Sequence, residues 1–203
     1  MSGCCNHNCE LDLLRQRQRG TLRAVLGINA VMFVVIAWAA ISADSSALLS
    51  DCLDNLGDAL TYGLSLLAVS RDVAVKAKVA LFKGGLIFLA ASVVVTRIAM
   101  KVAEPTVPIF ELMTTFSLLG LLANLGCLFL LWRHRSDDVN MSSVWECSRN
   151  DIASNLSVLI ASAGVWYTGS GWPDVAVASC LSVLLLWSAG RVVTSAVAQL
   201  RNS

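Results

Sequence analysis

The order of apolar and polar positions predicts a chain that crosses a membrane six times. Long apolar stretches alternate with short polar segments, and each stretch is long enough to cross the hydrocarbon core of a bilayer, which takes about 20 residues. Because lipid cannot satisfy an open backbone, each stretch has to be helical. The predicted spans are 24–43, 47–70, 79–99, 112–132, 141–166 and 175–197. We therefore expect an all-α membrane protein with six transmembrane helices.

Composition agrees with this expectation and excludes other classes. Of the 203 residues, 56% are hydrophobic and 14% are charged, whereas soluble domains carry about 25% charged residues. A disordered chain is excluded, and a soluble enzyme is disfavoured. The 15 basic residues nearly balance the 14 acidic ones, so no nucleic-acid partner is expected. The partner that remains is the lipid bilayer.

Basic residues predict the orientation of the spans. They precede the first predicted span and follow the second, fourth and sixth, and the positive-inside rule then places both termini in the cytoplasm. We expect residues 1–20 to form a cytoplasmic N-terminal tail and residues 21–200 to form a six-helix transmembrane domain, with no separate C-terminal domain.

Acidic residues inside the second predicted span carry the functional information. Asp51, Asp54 and Asp58 are spaced i, i+3 and i+7, which places them within about 60° of each other on one helix face. Each acid costs roughly 2.5–3.5 kcal/mol at the centre of a bilayer. These side chains are therefore expected to face the interior of the bundle or water.

The fifth predicted span carries a second polar pair at the same depth. Asp58 lies about 16 Å below one membrane surface, and Asp151 lies about 15 Å above the other. Asn155 is one helical turn beyond Asp151, just as Asp54 is one turn from Asp58. Carboxylate and amide oxygens suit a divalent cation, so Asp54, Asp58, Asp151 and Asn155 are the predicted metal ligands.

Internal ion pairs are the structural alternative for these acids. Arg149, Lys83 and Arg97 are the available cations. However, Arg149 is two positions from Asp151 and therefore on another helix face. Lys83 and Arg97 are predicted near span ends, from which they can reach the headgroups. A transport or binding role is therefore favoured for the midplane acids.

Several other residues are candidate accessory metal ligands. Three thiols and an imidazole lie close together in the N-terminal tail and suit a thiophilic ion, although a disordered tail is the alternative. The remaining candidates are an acid nearer the outer surface and a thiol one turn from Asp151, which packing would also explain. The accessory candidates are Cys4, Cys5, His7, Cys9, Asp51 and Cys147. We expect the four cysteines inside the spans to be reduced and mostly inert packing residues.

Two stretches of the sequence resemble signatures of the cation diffusion facilitator family. In the second span, SALLSD at residues 46–51 is followed by Asp54 and Asp58, and the family's signature there pairs a His or Asp with an Asp four residues later. In the fifth span, Asp151 and Asn155 resemble the matching motif, whose second position is usually Asp. The run GWPD before the last span also fits. The resemblance covers the whole predicted membrane part.

This resemblance implies a function. Family members are dimeric transporters that export divalent metal from the cytoplasm, usually in exchange for protons. The resemblance thus implies a homodimeric antiporter, not an enzyme, in a bacterial inner membrane, with the metal as substrate and no prosthetic group. Zinc is the first expectation, while the all-oxygen ligand set also suits cobalt, manganese, iron or cadmium. The chain departs from the family in lacking a C-terminal metal-sensing domain and a His-rich loop.

Two other functions fit parts of the sequence. The first is a membrane metal sensor or scaffold that binds metal without moving it. The second is an intramembrane aspartyl protease, which also needs two acids on facing helices. That enzyme family places one acid in a Gly-x-Gly-Asp motif, and residues 55–58 read NLGD, without the first glycine. Metal flux in vesicles separates a carrier from a sensor.

Overall fold

The described part of the chain is built entirely from α-helices. A computed structural model describes residues 4–68, 73–132 and 139–201, and within these ranges it contains six helices and no strand. The helices are α1 (Cys4–Ser42), α2 (Ser46–Ala68), α3 (Val73–Ala103), α4 (Phe110–Trp132), α5 (Val139–Thr168) and α6 (Trp172–Arg201). The all-α prediction is confirmed for these residues.

Four helices contain a stretch that is long and apolar enough to cross a membrane. These stretches are Arg19–Ser42, Ala80–Ala103, Phe110–Trp132 and Trp172–Thr194. Helices α2 and α5 are also long, with 23 and 30 residues, but they carry the acidic residues singled out above. The predicted orientation of the termini is not tested by the helix positions and stays a prediction.

Two helices begin six or more residues earlier than the hydrophobic pattern predicted. Helix α1 begins at Cys4, so most of the expected N-terminal tail has a helical backbone. Its first turns contain Leu, Gln, Glu and Arg, which all have good helix propensity, and such residues let a helix continue beyond the membrane surface. Helix α3 begins at Val73, six residues before the predicted start of that span.

The helices are arranged as a group of four and an attached pair. Helices α1 and α2 pack closely, as do α4 and α5, and further contacts join α1 to α4 and α2 to α5. Helix α3 packs mainly against α6, and this pair contacts the group of four through α2 and α5. Small residues allow the close approach of α3 and α6: a Cβ atom on Gly84 would lie 2.7 Å from Val193 Cγ2.

The surface of this bundle is more apolar than that of a soluble protein, and several polar side chains are buried inside it. Large apolar side chains such as Trp38, Phe88 and Phe129 are exposed. Polar side chains, including Asn29 and Asn124, are buried between the helices. This distribution is typical of helices that face lipid on the outside and bury their polar groups inside.

One end of the bundle is closed by a buried carboxylate. We call it the capped end; it contains the α1–α2, α3–α4 and α5–α6 connections. Asp174, in the first turn of α6, is fully buried and accepts hydrogen bonds from Ser45 Oγ at 2.6 Å, Ser46 N at 2.9 Å and Ala47 N at 3.0 Å. It thereby satisfies free N–H groups at the N-terminus of α2. Lys101 Nζ, on α3, lies 3.3 Å from the same carboxylate.

Asp44 extends this network to the surface of the capped end. Arg97 and Thr106 contact its carboxylate at 3.0 Å and 2.7 Å, and Lys101 donates to its carbonyl oxygen. A backbone bond of 2.9 Å from Ile109 N to Ala43 O joins the α3–α4 connection to the end of α1. The capped end therefore holds all three connections together.

Candidate metal centre

Two acids from α2 and α5 meet in the middle of the bundle. Asp58 and Asp151 are 7% and 6% exposed, and their carboxyl groups are close enough to interact directly. The predicted meeting of these two acids is thus present in the structure.

Tyr62 extends this pair away from the capped end. The Tyr62 hydroxyl donates a hydrogen bond to Asp58 Oδ2. Tyr62 is fully buried, one helical turn from Asp58. The tyrosine therefore fixes the position of one carboxylate while it fills the space below it.

Asp54 lies beside this pair, in a more open environment. Its side chain is half-buried and hydrogen-bonds to Ser154 on α5. Asp54 and Asp151 both line a groove of about 650 Å³ between α5 and α6. Asp54 is therefore the member of the predicted ligand set that is nearest to open space.

Asn155 presents only an oxygen to the interior. Its Nδ2 atom donates to Asp151 O at 2.9 Å, one turn earlier in α5. Within the described residues, its Oδ1 atom has no hydrogen-bond partner, although the side chain is fully buried. Gly120 on α4 lies directly against this oxygen, where a Cβ atom would collide with it. The absence of a side chain at position 120 leaves room for the Asn155 amide.

Three further buried oxygens fit a cation. Asp151 Oδ2 is buried and has no hydrogen-bond partner in the described part of the chain. The same is true of both carboxylate oxygens of Asp51, whose side chain is fully buried. Unsatisfied buried oxygens are costly, so such atoms fit a site that is completed by a ligand.

The structure does not bring all the predicted ligands into one cluster. Across residues 4–68, 73–132 and 139–201, no three His, Cys, Asp or Glu side chains are close enough to hold a metal ion. Asp58 and Asp151 are in contact, whereas the four-residue site stays a prediction. The side chains of Cys4, Cys5, His7, Cys9 and Cys147 lie outside the described residues, so their predicted accessory role also stays a prediction.

The basic side chains within the predicted spans lie partly where the sequence predicted, away from the midplane acids. Arg97 pairs with Asp44 at the capped end, far from Asp58 along the bundle. Arg149 is exposed and stacks on Trp145, with its Cζ atom 5.5 Å from the ring centroid. Lys83 lies near the start of the apolar stretch Ala80–Ala103, as predicted, but its side chain is directed to α2 and not only to the headgroups. Lys83 bonds to Thr61 Oγ1 on α2, and its charge acts on Asp58.

The cysteine prediction is corrected at one position. Cys52 and Cys127 are buried free thiols, as expected, but Cys180 is an exposed free thiol on the wall of the groove between α5 and α6. A hydrophobic pattern alone does not show that α6 stands apart from α5 at this position.

Sequence reasoning missed three residues around the centre. Tyr62 was hidden in an apolar run, although it lies four residues after Asp58 and thus on the same face. Gly120 carried no signal, since its role depends on a side chain of another helix. The third residue, Asp174, lies at the capped end: the sequence placed it in the run GWPD before the last span, whereas it lies in the first turn of α6 and caps α2.

Comparison with known proteins identifies the family. The sequence model of the cation efflux transmembrane domain matches residues 22–201, which include nearly all of the six helices. No curated protein matches the chain in a sequence search. The matched domain is a multi-pass membrane domain of metal cation transporters, in agreement with the four apolar spans and the buried acids. The chain belongs to the cation efflux, or cation diffusion facilitator, family.

Proposed function

We propose that this protein is a proton-coupled exporter of divalent transition-metal cations. In this proposal all six helices cross a bacterial inner membrane, both termini are cytoplasmic, and the working unit is a homodimer. Zinc is the first candidate substrate, with cobalt, manganese, iron and cadmium as alternatives. The observation that carries the proposal is the pair of neighbouring carboxyl groups of Asp58 and Asp151, buried between α2 and α5.

Exchange of a metal for protons follows from the chemistry of this pair. A divalent cation entering between Asp58 and Asp151 displaces any proton that they carry, because both carboxylates must be ionised to act as ligands. Protons arriving from outside reverse the step and release the metal. Protonation also neutralises the carboxylates of the metal-free site. This lowers the free-energy cost of keeping them buried while the empty carrier returns to its other conformation.

Two more oxygens complete the proposed ligand set. Asn155 Oδ1 is buried one helical turn beyond Asp151 and has no hydrogen-bond partner among the described residues. Asp54 would complete the set by turning from Ser154 towards the pair. Oxygen atoms are harder ligands, in the hard–soft acid–base sense, than the histidine nitrogens of many zinc sites. Manganese and cobalt are therefore strong alternatives to zinc as the substrate.

A panel of metals in proteoliposomes tests this proposal. The purified chain is reconstituted with a pH gradient, and uptake of zinc, cobalt, manganese, iron and cadmium is recorded. We expect uptake into the acidic compartment, and collapse of the gradient by an ionophore should stop it. Binding of zinc without flux under any gradient would favour a membrane metal sensor or scaffold.

A further inference from the structure

A lysine of α3 lies beside the carboxyl pair formed by Asp58 and Asp151. Lys83 Nζ donates a hydrogen bond to Thr61 Oγ1, which in turn donates to Gly57 O at 2.7 Å. Thr61 is three residues after Asp58, so the ammonium group lies about one helical turn from this acid along α2. Its positive charge acts on the Asp58 carboxylate.

The packing of α2 against α3 brings Lys83 to this position. A Cβ atom on Gly57 would lie 3.7 Å from Ile87 Cδ1, so the two helices are in contact at this point. Thr61 is one turn later on α2, and Lys83 is one turn earlier on α3, as expected for neighbouring antiparallel helices. The register of the two helices thus places the lysine at the level of the turn that follows Asp58.

The other two basic residues of the apolar part of α3 serve a different part of the molecule. Arg97 pairs with Asp44, and Lys101 pairs with Asp174, both at the capped end. Lys83 is thus the cation of this stretch that is directed to the acids in the middle of the bundle. Ionised carboxylates inside a membrane are costly, and a nearby opposite charge lowers that cost.

We propose that Lys83 is a counter-cation for the carboxyl pair, which compensates negative charge in the metal-free site and is displaced when a divalent cation binds. This inference rests on the proposed function and adds a residue to its binding cycle. A divalent cation beside Asp58 repels the ammonium group and replaces it as the compensating charge. Lys83 has no lone pair to offer a metal, so it acts through the carboxylate and not as a ligand.

The side chain of Lys83 suits such a displacement. It is only half-buried, and its flexible four-carbon stem lets the ammonium group turn away from α2 without a movement of α3. In the metal-free site the lysine competes with the metal for the negative charge. Lys83 therefore weakens metal binding, and its return to Asp58 favours release of the metal.

The zinc affinity of two charge variants tests this role in the full-length protein in detergent. Lys83→Gln keeps a hydrogen-bond donor for Thr61 but removes the charge. We expect this variant to bind zinc at least about tenfold more tightly than the native chain, as measured by competition with a zinc dye. Lys83→Arg keeps the charge and should bind zinc within about threefold of the native affinity. Unchanged or weaker binding in Lys83→Gln would overturn the proposal, because a lysine that only joins two helices does not weaken zinc binding.

Arg97→Gln is the matched control on the same helix. It removes a charge of the same sign from α3, but at the capped end, where Arg97 pairs with Asp44. Its zinc affinity should equal that of the native chain. An equal gain of affinity in Arg97→Gln and Lys83→Gln would show that the net charge of the protein, and not the position of Lys83, sets the affinity, and would overturn the proposal.

Acetylation of the native chain tests the displacement without any variant. The protein is treated with N-hydroxysuccinimide acetate in the presence and absence of saturating zinc, and modification of each lysine is followed by peptide mass spectrometry. We expect zinc to raise the rate at Lys83 at least about threefold, because the amine leaves its partners on α2. The rate at Lys101, which is held at the capped end by Asp174, should not change. An unchanged rate at Lys83 would contradict its displacement by the metal.

The outcome is separable from that of the proposed function. Affinity and acetylation both depend on binding, and neither requires transport. Absence of zinc flux in proteoliposomes would reject the exporter, while tighter zinc binding in Lys83→Gln would still establish the counter-cation. Conversely, zinc flux in the native chain together with native affinity in Lys83→Gln would keep the exporter and reject this role of Lys83.

Discussion

At the scale of single residues, the centre depends on which oxygen atoms are left without partners. Asn155 uses its Nδ2 atom within α5, which leaves Oδ1 as a neutral donor in a layer of carboxylates. A neutral amide oxygen is a weaker ligand than a carboxylate or an imidazole, so this position is expected to tune metal choice.

Substitutions of Asn155 test that expectation. Asn155→Asp adds a negative charge, and we expect zinc to bind about tenfold more tightly and to be released more slowly. Asn155→His adds a softer ligand and should shift preference towards zinc over manganese by about tenfold. Competitive flux of zinc, cobalt and manganese measures both effects. Identical metal ranking and half-saturation in all three proteins would place Asn155 outside the coordination sphere.

Gly120 offers a test that leaves every charge in place. Gly120→Ala puts a methyl group against Asn155 Oδ1 and within 3.2 Å of Ile36 Cδ1. We expect the Asn155 amide to be displaced, with a loss of about tenfold in zinc affinity and a cost of about 1–2 kcal/mol in stability.

The matched control for this variant is on the same helix. Gly126→Ala places its methyl group where nothing lies within 4 Å, so zinc affinity and melting temperature should stay at or slightly above the native values. Isothermal titration calorimetry and thermal unfolding in detergent measure both proteins. Equal zinc affinity in the two variants would show that Asn155 is not a ligand.

At the scale of helices, the capped end joins elements that are distant in sequence. A carboxylate from α6 satisfies the first turn of α2 and pairs with a lysine from α3, and all of these groups are buried. A buried charge pair costs little while it is intact, but removal of one partner leaves the other charge buried and unpaired.

Asp174→Ala should therefore be strongly destabilising. We expect a loss of about 3–5 kcal/mol, because Lys101 loses its buried partner and α2 loses its cap. Glu104→Gln, at an exposed position of the same end, should change stability by less than about 0.5 kcal/mol. Unfolding in detergent, followed by circular dichroism, compares the two variants. A similar small effect in both would mean that the cap contributes little to the fold.

The sequence predicted the helices and the key acids for clear physical reasons. Apolar runs of the right length must be helical in lipid, and acids spaced i, i+4 lie on one face that cannot point to lipid. Asp58 and Asp151 could therefore be paired from their depth alone. The same reasoning does not reveal whether Asp54 is in contact with them, because that depends on the rotation of α2 against α5.

Hydropathy and helical periodicity do not predict which residues of helices distant in sequence touch each other. Gly120 matters because of Asn155, and Asp174 matters because of α2; neither relation leaves a periodic signal in the sequence. The gap that exposes Cys180 likewise depends on the divergence of α5 and α6. The early starts of α1 and α3 were missed because hydropathy marks where a helix enters lipid, not where it begins.

At the scale of the whole molecule, the proposed function couples metal binding at an oxygen-rich centre to the exchange of that metal for protons. Protons and metal compete for the same two carboxylates, so zinc affinity should fall as pH is lowered. We expect zinc binding to release protons into the medium, which titration calorimetry in buffers of different ionisation enthalpy measures. Zinc binding with no proton release and no dependence on pH would contradict competition at the pair.

The most direct test of the central claim records zinc and proton movement together. Proteoliposomes containing the native chain or Asp58→Asn are loaded with a zinc dye and a pH dye. For the native chain, the account predicts zinc entry coupled to proton exit, driven by an acidic interior. For Asp58→Asn, which keeps the shape of the side chain, both signals should be lost while the protein stays folded. Near-native zinc flux in Asp58→Asn would contradict the assignment of the carboxyl pair as the transport site.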